Sequence, residues 1–155
     1  MNRRDFLSGL GAIVAAFTLP HWLGGDVASA QGQSVGRIVV DTKPLEARGA
    51  AGQAAIIRPR LQASLQREFA GRVGRGGAVL IARVHTIQLA GFAGNDRGGV
   101  PSDYLEGEVI VGGQSFPMLV TQSADVAGPY YASDNEARRL YAIADSFASW
   151  IRRRV

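Results

Sequence analysis

Apolar and polar positions follow two rhythms along this chain, and each rhythm predicts an element. From Val35 to Thr42 the run VGRIVVDT is short and β-branched, which predicts a first strand. Pro44 and the glycine- and alanine-rich EARGAAGQ that follows predict a loop. Ile57, Leu61, Leu65 and Phe69 then recur every fourth residue, the spacing of one helix face. Pro59 is tolerated in a first helical turn, so the regular helix is expected from about Arg58. Ala54 to Ile57 then form a distorted lead-in, and Gly71 is the stop.

The run AVLIARVHTIQLA predicts a second strand, and GFAGNDRGGVPS a loop. DYLEGEVIV and QSFPMLVTQSA flank Gly112-Gly113 and read as a hairpin. Folding about the two glycines sets Val111 opposite Gln114, Val109 opposite Phe116, Gly107 opposite Met118 and Leu105 opposite Val120. Leu105, Val109, Val111, Phe116, Met118 and Val120 then share one face, and Glu106 and Glu108 point to the other. In the last segment Ser133 and Glu136 have the spacing of a capping box ahead of a helix running to about Arg153. Its apolar stripe is Ala137, Leu140, Ala144, Phe147 and Ile151, with Tyr141 and Trp150 on the flanks.

The expected fold class is therefore α+β, in the order β-α-β-β-β-α. It is a small, mostly antiparallel, four-stranded sheet with two helices on one face. Helices on one face leave the other open, as antiparallel sheets allow. By the hairpin register that open face carries Tyr104, Glu106, Glu108, Ile110, Leu119 and Thr121, a candidate interaction face of mixed aromatic, aliphatic and charged character.

The first thirty residues do not fit this scheme. Arg3 and Arg4 precede an apolar stretch from Phe6 to Leu19, and Pro20 to Gly25 break any helix. Val27-Ala28-Ser29-Ala30 then offers small residues in the A-x-A pattern of a cleavage site. The apolar stretch falls short of the ~20 residues needed to span a bilayer. NRRDFLSG, with Arg3, Arg4, Phe6 and Leu7 in place, resembles the twin-arginine signal of proteins exported across the bacterial inner membrane after folding. The resemblance implies cleavage after Ala30 and a single mature α+β domain of residues 31–155. It also implies passage through the twin-arginine translocase and a signal peptidase, and a periplasmic location. With no cysteine in the chain, a lipidated anchor is not expected.

Composition narrows the chemistry. The absence of cysteine removes disulfides, thiolate metal sites and cysteine nucleophiles, and of two histidines only His85 lies beyond the signal-like segment. No cofactor or metal is expected. The balance is positive, +4 overall, with Arg152-Arg153-Arg154 closing the chain as a candidate basic patch. Such a patch suits an anionic lipid surface or an acidic partner, and it also complements a helix C-terminus. No nucleic-acid motif accompanies the arginines.

Three further groups carry candidate chemistry. Asp103, Glu106 and Glu108 are clustered carboxylates, but alternation on a half-buried strand is also what a solvated face requires. Ser115 in GQSFP lacks the second glycine of a nucleophile elbow, and GRVGRGG follows a helix and enters a strand, the reverse of a phosphate loop. His85 could act with a serine or aspartate brought from elsewhere, and Asp96 with Asp103 matches no calcium loop. Tyr130 and Tyr131 offer aromatic anchors for a partner or a cover for the core edge.

In element order the domain is similar to the lipopolysaccharide-assembly lipoprotein family and to the ABC-transport auxiliary lipoproteins. The likeness rests on strand one, the RPRLQASLQREF helix, the hairpin and the closing helix. It implies an exported accessory or binding protein of the cell envelope, acting through contacts with a protein or envelope component. The alternative is a periplasmic hydrolase with an acidic or histidine-based site.

Overall fold

The computed structural model describes residues 34–91, 101–129 and 131–155. The signal-like segment, with Arg3, Arg4, Phe6, Leu7, Ala28 and Ala30, lies outside the described residues, as do Asp96 and Tyr130. The elements are β1 (Val35–Asp41), α1 (Lys43–Ala47), α2 (Ala51–Glu68), β2 (Ala78–Gln88), β3 (Ser102–Val111), β4 (Gln114–Ser123) and α3 (Asn135–Arg154). The strands lie in the order β1-β2-β3-β4, with β1 parallel to β2 and the other two pairs antiparallel. This is an α+β fold with a mixed four-stranded sheet, and the expected topology gains one short helix.

Three local expectations are corrected. The stretch after Pro44 is not simply a loop: Lys43–Ala47 makes one helical turn that buries Leu45. Helix α2 begins at Ala51 and runs through Pro59, seven residues before the expected start at Arg58. Pro59 removes one backbone donor, but it and Ala55, whose carbonyl loses that bond, both face solvent, where water replaces it. Helix α3 is not capped by a Ser133–Glu136 box; its N-cap is Asp134, with no side-chain capping bond.

The hairpin takes the expected register at every pair, closed by Gly112 and Gly113 at φ 57° and 81°, the left-handed region a two-residue turn of this kind requires. Leu105, Val109, Val111 and Val120 enter the core, and Phe116 and Met118 pack at its margin. The core joins them to Leu80, Ala82 and Val84 of β2, Leu61 and Leu65 of α2, and Ile143 and Phe147 of α3. Each buried side chain of this size contributes about 1.5–3 kcal/mol. Gly107 is required here: a Cβ would lie 2.3 Å from the Arg83 carbonyl oxygen and 3.2 Å from the Phe147 ring. Phe147 thus rests on bare sheet backbone.

Two polar clamps fix the helices. Between them, Asp145 of α3 accepts hydrogen bonds from Ser64 and from Arg60, whose Nε lies 3.0 Å away, and Arg67 adds a contact at 3.2 Å. Burial pushes the Asp145 carboxyl up, and the bonds from Arg60 and Ser64 more than reverse this, leaving it below the ordinary aspartate range. The second clamp is buried. Arg139 of α3 donates from Nε and Nη2 to Asp103 of β3 and from Nη2 to the Ala90 carbonyl, while Asp103 accepts from the Ala90 amide at 2.9 Å.

Removing one member of a buried pair costs far more than losing a half-exposed one. Asp103→Ala is expected to lower unfolding free energy by about 3 kcal/mol or more, and Asp145→Ala by about 1 kcal/mol. Urea denaturation of the two variants measures both.

Candidate interaction face

The face turned away from the helices is built from alternate positions of four strands. Cross-strand pairing aligns Val39, Ile81, Ile110 and Ser115 in one row, and Asp41, Arg83, Glu108 and Pro117 in the next. A register shift between Val84 and Thr86 inserts His85 as an extra residue, after which Glu106 and Leu119, then Tyr104 and Thr121, continue the surface. All six expected residues, Tyr104, Glu106, Glu108, Ile110, Leu119 and Thr121, therefore lie on this one face. Leu119 is the most exposed of them, at 65%.

The centre of the face is locked by charge. Arg83 Nε lies 2.9 Å from Asp41 Oδ2 and its Nη1 2.6 Å from Glu108 Oε1. Ser115 Oγ donates to Glu108 Oε2 at 2.7 Å, and His85 Nε2 stands 3.6 Å from Glu108 Oε1. The ladder spans all four strands. The Ser115 hydrogen bond, then the Arg83 guanidinium, hold the Glu108 carboxyl below the ordinary glutamate range against a smaller effect of burial. At Asp41, burial acts upward, and the bonds from Arg83 and the Lys43 amide bring the carboxyl down overall.

The candidate catalytic groups do not converge. Asp103 belongs to the buried clamp, Glu106 stands in solvent, and Glu108 is committed to Arg83. Ser115, Glu108 and His85 do meet, but the carboxylate sits between serine and imidazole. A nucleophilic triad needs the imidazole in the middle, taking the serine proton, so this order does not activate Ser115. No group of three or more metal-ligating side chains occurs among the described residues.

The buried role of Asp103 and the inward placement of Asn135 and Arg139 are not among the expectations from sequence, although the pattern holds a signal for each. Asp103 shares the odd-numbered parity of Leu105, Val109 and Val111, which places it on the buried face. Asn135 and Arg139 lie on the same every-fourth-residue stripe as Ile143, Phe147 and Ile151. A polar residue on an apolar stripe was the mark of the clamp.

The three closing arginines each go to a ring: Arg152 to Phe69 at 5.9 Å, Arg153 to Trp150 at 4.9 Å, and Arg154 to Phe116 at 5.9 Å. Arg152 Nε also donates to the Glu68 carbonyl at 3.1 Å, satisfying the end of α2. A shallow cleft at the opposite end, lined in part by Gln53, Leu89, Ala132, Asn135 and Arg139, has a volume of about 560 Å³. No described helix is long and apolar enough to cross a membrane.

No protein-family model matches this chain, and no curated protein matches it in sequence. Among solved structures it is similar in outline to a minor lipoprotein from Acinetobacter baumannii, with 10% identity and a TM-score of 0.37. That match covers 76% of this chain and 87% of the other.

Because its folded pKa is depressed, Glu108 contributes stability that is complete above the ordinary glutamate range and is lost as pH falls through the lower folded value. Ser115→Ala removes the largest cause and is expected to move that titration upward. Carboxyl-detected NMR titration of Glu108 in both proteins measures the change.

Proposed function

We propose that this protein is an exported accessory or binding protein of the cell envelope, engaging a protein partner through its open sheet face. The observation that carries the reading is the outer half of that face, where Leu119 stands 65% exposed beside Glu106 and Thr121. An exposed aliphatic side chain rimmed by polar groups is compatible with an apolar centre and polar rim of a contact surface. The charge ladder supports the same reading, since it ties the side chains at the centre of the face in place before any partner arrives. The twin-arginine pattern at Arg3, Arg4, Phe6 and Leu7 supports export to the periplasm after folding in the cytoplasm.

In-cell crosslinking of the protein followed by identification of the captured chain is the direct test. Leu119→Asp is expected to abolish specific capture while leaving the melting temperature unchanged. Capture at the wild-type level would remove this face from the function. Export is tested separately: Arg3→Lys with Arg4→Lys is expected to block appearance in the periplasm, and undiminished export would assign another route.

A further inference from the structure

Charge is sorted along the long axis of this domain. Six of the described arginines are matched: Arg58 with Glu46, Arg60 and Arg67 with Asp145, Arg83 with Asp41 and Glu108, Arg138 with Asp134, and Arg139 with Asp103. The topology then brings a second set to one end. Helices α2 and α3 run in the same sense, so both finish there, as the Arg152–Glu68 bond records. The turn after α2 is tied to the start of β1, where Val35 donates to the Arg72 carbonyl at 3.2 Å and Gly74 to the Val35 carbonyl at 2.9 Å. The hairpin tip is joined to the same end by Arg154 over Phe116.

This gathers Arg37, Arg72, Arg75, Arg152, Arg153 and Arg154, none of which forms an ion pair among the described residues. Elsewhere only Lys43 and Arg48 share that condition among the described residues. In the segments 34–37, 66–79, 111–116 and 149–155 that form this end, Glu68 is the one acidic side chain. Among the arginines stand Trp150, 52% exposed, Val73, 48% exposed, and Val79, 40% exposed.

We infer that this end docks on a bilayer surface carrying anionic phospholipid. Unmatched arginines gathered at one end supply the charge complementarity, each adding about 1 kcal/mol near such a surface. The exposed residues select a membrane over a nucleic acid. Trp150 beneath the Arg153 guanidinium has an apolar body and a polar edge suited to the headgroup level, and Val73 and Val79 offer no group that reads a base. Arginine side chains reach phosphate while their stems lie along apolar surface. This inference does not rest on the partner-binding role of the open face, and capture lost in Leu119→Asp leaves it unaffected.

The test is vesicle cosedimentation of the full chain in a Trp22→Phe background, which makes Trp150 the only tryptophan. Vesicles of phosphatidylglycerol mixed with phosphatidylethanolamine are compared with phosphatidylcholine alone. Binding is expected to the anionic vesicles only, with a blue shift of Trp150 emission and a loss on raising salt. Arg72→Glu, Arg75→Glu, Arg153→Glu and Arg154→Glu together are expected to weaken it at least about tenfold. The four Lys replacements at the same positions are expected to retain most of the binding, which separates surface charge from damage to the fold. Binding unchanged by charge reversal, an unmoved Trp150 emission, or salt-sensitive binding to a single-stranded oligonucleotide but not to vesicles would each overturn the assignment.

Discussion

One geometric constraint organises this molecule: α2 and α3 must share one face of a four-stranded sheet. The parallel pairing of β1 and β2 forces α2 to return the full length of the sheet before β2 can begin. The last strand then finishes at the end of the sheet where α2 starts, so α3 descends in the same sense. With both helices committed to one side, every strand divides its residues between a dry face and a wet one. Gly107 follows from this, because Phe147 can reach the sheet only where a side chain is missing. The buried Asp103–Arg139 clamp follows as well, joining the beginning of β3 to the beginning of α3 at the end opposite the arginines.

Parallel helices would ordinarily concentrate partial negative charge where they finish together. The arginines at residues 152–154 answer that need, and Arg152 does so directly by bonding a carbonyl at the end of α2. Arg37, Arg72 and Arg75 exceed what two helix ends require, since none of them lies in a helix. That surplus is what the proposed membrane contact rests on.

The hairpin was legible in the sequence because everything that sets its register is local: two glycines, strict alternation, and matching lengths on either side. The β1–β2–β3 register was not. It depends on the extra residue at His85 and on pairing between segments far apart in the chain, so the row Asp41–Arg83–Glu108 had no signature that could be read by spacing. Pro59 misled for the converse reason. A proline in a helix interior is costly as a local rule, but the buried stripe of Ile57, Leu61 and Leu65 outweighs it when the proline points outward. The carboxylate cluster dissolved because neighbours along a strand face opposite ways. Two charges close in sequence, Asp103 and Glu106, ended up on opposite sides of the sheet.

Pro117 stands near the middle of β4, the last strand of the sheet. Counting outward from the Val111–Gln114 closing pair, the Glu108–Pro117 pair is one that does not exchange bonds across the hairpin, so the proline nitrogen points away from β3. The row of donors on that border is therefore interrupted at its centre. A second sheet laid alongside would find only a few consecutive hydrogen bonds, too short a seam to propagate. A single residue thereby blunts the β4 border against strand pairing.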